Sequence, residues 1–487
     1  MNTGTGSTPQ NGPDSITSIT APAPPENSIE SPFLGKLTFK DGYPTSETLH
    51  TLYDQLDFQR ATQAFLRNLL ALNMYGFRLG IARDLGVDSS SKLAIFRATA
   101  QSLMLTPNSE TLYGTTFLAL DVDGPTVVEL PPGVLGLLND MWMRPVEDLG
   151  VGGPDHGQGG KYLFVPPGYE GELPDSGYFI TPLRTYGAWL LLRAFLDPSG
   201  DDAPAHALLR QTRIYPYAGA AAPRANTYLD ATGKLFDTTT PNDLRAFEML
   251  ADLIAREHPQ AVDPDVAGML KAIGIEPGQP FAPDARMRRI LGEAARVGSF
   301  MAQAISYAPR KPEQVRPGSQ WLAGLEGYPT FFDGRSTLLD PMVFMAWFAT
   351  GAAKSMNAPK PGTGSQYIWT YHDADGQWLC GEKQYRFRIP PNPPAKDFWS
   401  VVVYDNWTRA ILPNGQAVAS KNSYDKAIQS NPDGSIDIWF SPQPPAGKES
   451  NWIRTVPGKG WFTLFRLYGP LQPWFDRSWT PDDIEAT

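Results

Sequence analysis

Cysteine is nearly absent: Cys380 is the single one in 487 residues, which excludes an internal disulfide framework. Charge is sparse too, at 19% Asp, Glu, Lys and Arg, against roughly 25% in soluble proteins generally. The net charge is −10 and no Lys/Arg block occurs, so neither nucleic acid nor an anionic membrane is expected as a partner, since both demand clustered cations. The five histidines (His50, His156, His206, His258 and His372) share no short motif, so no metal is expected. No run approaches the roughly 18–20 apolar residues of a membrane span; the longest candidate is Ala188–Leu192 within a mixed segment. Phosphate-binding Gly-x-x-x-x-Gly-Lys-Ser/Thr loops, Gly-x-Ser-x-Gly elbows, His-Glu-x-x-His helices and a Rossmann fingerprint are all missing, and no cofactor is expected. Met1–Ser31 has neither the basic start nor the apolar core of a secretion signal. A cytoplasmic location is therefore expected, or a periplasmic one if a signal has been removed.

What is abundant is turn-forming and aromatic. The chain holds 47 prolines, 45 glycines and 11% aromatics, with 41% hydrophobic residues, too apolar for general disorder and too irregular for collagen. Residues 1–40 are expected as a disordered or arm-like tail, because Met1–Ser31 carries almost no large apolar side chain. Helical spacing comes next, with Phe58, Ala61, Phe65, Leu69 and Leu72 on one face, and Ser89–Ser91 then offers a cap for a second helix carrying Leu93, Phe96 and Leu103. Period-two patterning marks strands at Leu112–Leu120 and Thr126–Leu130, joined by Asp121–Pro125, and again at Tyr162–Val165 and Tyr178–Ile180. Helices return behind Asn242/Asp243, over Met287–Ile305 and over Leu339–Met356; strands resume at Gln366–His372, Gln384–Ile389, Phe398–Tyr404, Ile436–Phe440 and Trp461–Tyr468. Asp375-Gly376, Asn414-Gly415 and Asn431–Gly434 punctuate them as hairpin signals. The expected fold is α+β, with two mainly antiparallel β-sandwich or jelly-roll-like domains at residues 45–200 and 361–487, helices flanking the first sheet and a helical section at 201–360 between them.

Three segments could carry chemistry. In Thr106–Tyr113 (TPNSETLY), Asn108, Glu110 and Tyr113 sit at a strand entrance; they serve either as ligand contacts and an acid/base pair or to satisfy the turn's own N–H groups. The Gly-rich stretch Gly150–Gly168 carries His156 and Lys161, with Arg144 just upstream, and either approaches a ligand closely or closes a hairpin. Alternation along Trp461–Tyr468 puts Arg466 on a face with Phe462, Leu464 and Tyr468. There its guanidinium must be ion-paired, stacked or lining a cleft.

Taken together, Thr106–Tyr113, GGPDHGQGGKYLFVPPGY at Gly152–Tyr169, FWSVVVYD at Phe398–Asp405, NPDGS at Asn431–Ser435, Asn451-Trp452 and WFTLFRLYGP at Trp461–Pro470 resemble a bacterial two-domain architecture. In it an N-terminal domain of the domain-of-unknown-function family 1254 precedes a C-terminal domain of family 1214. The resemblance implies jelly-roll-like sandwiches around a helical segment, symmetric homo-oligomers and, by analogy, carbohydrate or other ligand binding; many relatives carry an export signal. The functional expectation is binding of a small polar or aromatic ligand in a cleft between Gly150–Lys161 and Thr106–Tyr113, with Asn108, Tyr113, Arg144, Lys161 and Arg466 as contacts. One alternative is a hydrolase using Glu110 or His156 as general base; another is a structural assembly protein.

Overall fold

The computed structural model describes residues 26–196, 201–357 and 360–487. Met1–Pro25, most of the expected tail, lies outside them. The chain divides into two compact units, Met1–Asp57 and Phe58–Thr487. In the first, Ser28–Ser31, Gly35–Lys40 and Tyr43–Pro44 pair antiparallel as a three-stranded sheet, so the end of the segment expected as a tail is β structure. Three threonines close its turn: the Thr48 hydroxyl accepts from the Thr38 N–H at 2.8 Å, and the Thr38 and Thr45 hydroxyls bond at 2.8 Å.

The second unit is built from two sheet pairs with helices between them. A six-stranded sheet, in the order Thr227–Asp230, Lys92–Arg97, Thr111–Ala119, Gly187–Phe195, Leu135–Asp140, Pro145–Gly150, packs on a four-stranded one, in the order Phe179–Pro182, Gly160–Val165, Thr126–Leu130, Arg213–Pro216. Leu112, Leu118, Leu190 and Leu192 meet Val128 and Phe164 across this sandwich. Further along the chain, a five-stranded sheet runs Leu322–Ala323, Ser365–Thr370, Trp461–Pro470, Ala395–Asp405, Ser420–Asn422. Its partner runs Trp452–Arg454, Ile436–Ser441, Tyr385–Ile389, Glu485–Ala486. The aromatic richness of the sequence is spent here: Phe440 and Trp461 rings lie 4.8 Å apart, and Phe387 and Phe465 5.7 Å apart.

The outer face of each larger sheet turns toward the helices. Phe77, from the helix Leu69–Leu85, packs on Trp189 of the six-stranded sheet at 5.2 Å. On the other side, Phe344 and Phe348 of the helix Leu339–Phe348 meet Trp369 of the five-stranded sheet at 5.4 and 5.0 Å. One continuous apolar cluster therefore joins the two sandwiches. Among the described residues, no helix is long and apolar enough to cross a membrane.

Three local expectations change. Lys92–Arg97 is a strand, not a helix: Leu93 and Ile95 bury between the two sheets while Ala94 and Phe96 bury against the helices. A strand covered on both faces shows a continuous apolar run, and the three-residue step from Leu93 to Phe96 imitated a helical one. The strands flanking Asp121–Pro125 enter different sheets, because Leu120–Asp123 coils into a short helical turn ended by Gly124 at φ +64°. The helix beginning at Leu339 stops at Phe348, eight residues short of Met356, since Ala349 is extended (φ −138°, ψ 164°) and Gly351 adopts φ +92° against Trp189.

Candidate functional site

The segment Thr106–Tyr113 enters the six-stranded sheet from the side facing the second sandwich. Pro107 offers no N–H, and Asn108 organises the residues after it: its Oδ1 accepts from the N–H of Glu110 (3.1 Å) and Thr111 (3.0 Å) and from the Thr111 hydroxyl (2.8 Å). The Tyr113 hydroxyl accepts from the Asn108 N–H at 3.0 Å, and its ring stacks on Phe96 at 5.5 Å. Glu110 is buried, and its carboxylate accepts from the Ser109 N–H (3.1 Å) and hydroxyl (2.6 Å). Of the two roles open to these side chains, satisfying the turn is the one their hydrogen bonds perform.

Arg466 meets this turn from the five-stranded sheet. Its strand partners are Tyr367 on one side and Ser400 on the other. Nη1 donates to the Tyr404 hydroxyl at 2.6 Å and Nη2 to the Thr106 carbonyl at 2.9 Å; Tyr404 in turn donates to the Pro107 carbonyl at 2.6 Å. The guanidinium lies 5.7 Å from the Tyr367 ring centre and 5.6 Å from that of Tyr404. Among the described residues no carboxylate pairs with it directly, so the stacked, hydrogen-bonded arrangement replaces an ion pair. Burial pushes the Tyr404 phenol well above its ordinary range.

A second arginine touches the same turn through its backbone. The Arg409 carbonyl accepts from the Thr106 N–H at 2.9 Å. Arg409 comes after a tight turn in which the Asp405 carboxylate accepts from the N–H groups of Trp407 and Thr408, both at 2.9 Å. Lys459 holds the other Asp405 oxygen at 2.7 Å. The turn puts Arg409 at φ +59° and lays its guanidinium 3.9 Å from the centre of the Trp347 ring. Nε donates to the Trp347 carbonyl at 3.1 Å and Nη1 to the Trp407 carbonyl. The residue is 8% exposed, no carboxylate pairs with it among the described residues, and burial pushes its pKa down to about 10. It lines a cleft of about 220 Å³ together with Phe65, Leu69, Asn73, Trp347 and Trp407. Sequence reasoning passed over Arg409. Its only signal was the run Asn406-Trp407-Thr408-Arg409 directly after the strongest strand, while the aromatic wall comes from Phe65 and Trp347, far away in the chain.

The expected contacts of the Gly-rich stretch do not converge here. His156 is exposed at φ +50°, its N–H closing a turn on the Gly153 carbonyl at 3.1 Å. Lys161 is exposed beside the Tyr178 ring at 5.9 Å. Arg144 is half-buried against Trp142 and Asp140 and donates to the Ala261 carbonyl. Packing explains the glycines themselves: a Cβ on Gly150 (φ +68°) would lie 1.8 Å from the Val134 carbonyl oxygen, and one on Gly159 (φ +82°) 2.7 Å from that of Leu130. The stretch Gly150–Lys161 lines neither the Arg409 cleft nor a wider one of about 670 Å³ further along the chain. In that wider cleft, bordered by Pro166, Tyr169, Leu173 and Gln260, Arg184 is already engaged by Asp263 at 3.4 Å. The site residues named from sequence thus divide: Asn108, Glu110, Tyr113 and Arg466 come together, while Arg144, His156 and Lys161 stand apart. Among the described residues no three His, Cys, Asp or Glu side chains group as a metal site would require.

Fold and site define an α+β protein of two sandwiches, joined through helices and through an arginine–tyrosine contact at the Thr106–Tyr113 turn. Residues 91–216 match the family model DUF1254 and residues 364–472 the model DUF1214, each described as a protein of unknown function. It is similar in fold to the crystal structure of the VPA0106 protein from Vibrio parahaemolyticus, with a TM-score of 0.54 and 16% identity over 88% of this chain and 100% of that one. An uncharacterized protein from Burkholderia cenocepacia aligns with a TM-score of 0.38 and 13% identity, over 90% of this chain and 96% of that one. No curated protein matches.

Proposed function

We propose that the protein binds a small aromatic carboxylate in the cleft at Arg409. The observation that carries this reading is a buried guanidinium with no ion-paired carboxylate among the described residues, stacked on Trp347 and bordering a cleft lined in part by Phe65, Trp347 and Trp407 and in part by polar side chains. The Asp405 carboxylate is in electrostatic range of Arg409 but is held by Lys459; a buried charge without a paired counter-charge is costly, and a ligand carboxylate would pair with it through charge-assisted hydrogen bonds. Nε and Nη1 are committed to backbone carbonyls, which leaves Nη2 as the donor available to a ligand. The size is suitable: an apolar cavity of about 150 Å³ accepts benzene, so about 220 Å³ accommodates a ring bearing a carboxylate. Phe65, Trp347 and Trp407 would sandwich the ring. Glu110, with both oxygens engaged by Ser109, and the exposed His156 have no part in this reading.

The test is calorimetric titration with benzoate and with benzamide, its neutral counterpart. Benzoate is expected to bind saturably and benzamide much more weakly. Arg409→Met is expected to weaken benzoate by about 10- to 100-fold, as loss of a charged hydrogen bond implies. Equal binding of both probes, or an unaltered Kd in Arg409→Met, would remove the proposal.

A further inference from the structure

The Arg409 cleft leaves unexplained a second concentration of cations, on the other side of the Thr106–Tyr113 turn. Ser400, Arg466 and Tyr367 form one row across three neighbouring strands, and Tyr468 stands two residues beyond Arg466 on the same face. From the facing six-stranded sheet come Arg193 and its register partner Tyr113. Arg193 lies within hydrogen-bonding reach of Tyr367 and electrostatic reach of Tyr113 and Tyr468, while Arg466 interacts with Tyr367, Tyr404, Tyr468 and Glu110. The two guanidinium groups therefore share Tyr113, Tyr367 and Tyr468.

Negative charge is scarcer. Glu110 is one carboxylate in range of Arg466. Asp148 approaches Tyr328 near Arg193, but its oxygens accept from the N–H groups of Lys354 (3.0 Å) and Ser355 (2.7 Å). Two guanidinium groups, Arg193 and Arg466, thus have one carboxylate, Glu110, in direct electrostatic reach. The surrounding phenols cannot supply the difference, because burial holds Tyr113, Tyr404 and Tyr468 above their ordinary pKa and hence neutral. Two hydroxyls of the same face, Tyr468 OH and Ser400 Oγ, are buried with no hydrogen-bond partner among the described residues. Each is a donor awaiting an acceptor.

We infer that Arg193, Arg466, Tyr468 and Ser400 enclose a binding site for a small monovalent anion, of halide to bicarbonate size, held between the two sandwiches. Such an ion accepts hydrogen bonds from both hydroxyls and from the guanidinium N–H groups, and it cancels the excess charge, which a water molecule cannot do. This site is independent of the Arg409 cleft and stands whether or not that cleft binds carboxylates.

The probe is bromide. Crystals of the full chain soaked in sodium bromide are expected to give an anomalous peak within about 3.5 Å of both Tyr468 OH and the Arg466 guanidinium. In solution, replacing gluconate by bromide at constant ionic strength is expected to raise Tm saturably. Tyr468→Phe and, separately, Ser400→Ala are each expected to raise the half-saturating concentration about five-fold or more. If Tyr468→Phe fails to fold, Ser400→Ala carries the test. Anomalous peaks confined to the surface, or a bromide dependence of Tm identical in wild type and the folded variant, would overturn the inference.

Discussion

At the scale of single residues, two glycines separate conformational need from packing need. Gly168 adopts φ +72° with nothing within 4 Å of the point a Cβ would occupy, whereas Gly150 adopts φ +68° with the Val134 carbonyl oxygen 1.8 Å from the corresponding point. Gly168→Ala is therefore expected to cost only the left-handed strain of about 1–2 kcal/mol. Gly150→Ala must also displace a backbone carbonyl, and chemical denaturation should show a clearly larger loss. Equal losses would mean that the Gly-rich connection between the two sheets yields freely at Gly150, and the packing account of its glycines would fail. Tyr404 offers a polar counterpart: Tyr404→Phe strands both the Pro107 carbonyl and an Arg466 N–H, for an expected cost of about 3 kcal/mol. What could be read from sequence depends on the reach of each contact. Asn108 binds within three residues of itself, so Pro-Asn-Ser-Glu-Thr was enough to suggest its turn. Arg466 finds Thr106 across 360 residues and Tyr404 finds Pro107 across 297, so alternation could place Arg466 on an aromatic face but could not say that a backbone carbonyl and a phenol would take the place of an ion pair.

Among elements, helices with regular apolar spacing were the easiest to place. Asp243 was legible as a start and Asp284, ahead of the helix Ala285–Tyr307, was not, yet both side chains cap, accepting from the N–H of Arg245 (2.9 Å) and Met287 (2.7 Å). Asp263 occupies the equivalent position before the helix Pro264–Ala272 but makes no such bond. Asp284→Ala is expected to cost about 1 kcal/mol and Asp263→Ala distinctly less, as denaturant midpoints at unchanged slope would report; the reverse order would contradict the capping assignment. Strands in the C-terminal sandwich were equally legible, because Asp-Gly and Asn-Gly turns bounded them. The strand Lys92–Arg97 was not, because burial on both faces erases the alternation that distinguishes a strand from a short helix. The Arg409 cleft failed for a related reason: it borrows Phe65 from one helix and Trp347 from another, and no local pattern records which helix faces will meet.

For the molecule as a whole, the joining of the helical section to the first sandwich rests on a carboxylate whose ionisation should be measurable in stability. Glu257 directly follows the helix Leu244–Arg256 and accepts from the N–H groups of Tyr186 (2.6 Å) and Gly187 (2.9 Å), where the strand Gly187–Phe195 begins. Burial raises its pKa to about 7, although those two N–H groups pull it down. Asp140, deeply buried nearby, is raised in the same direction, again by burial, against the pull of Arg144. A carboxyl whose folded pKa exceeds its unfolded one holds its proton more tightly in the native state, so its contribution to stability is complete below about pH 4.5 and is lost as pH rises toward 7. With each pKa unit equivalent to about 1.4 kcal/mol, the loss from Glu257 is on the order of 3 kcal/mol. Glu257→Gln imitates the protonated carboxyl and cannot ionise. It should match wild type most closely at pH 4.5 and gain on it steadily up to pH 8, the difference in unfolding free energy growing by about 3 kcal/mol over that interval. A difference that stays constant across the range would show that Glu257 is ionised in the native state throughout. The junction between helix and sheet would then rest on a buried carboxylate held by two backbone N–H groups rather than on a carboxylic acid.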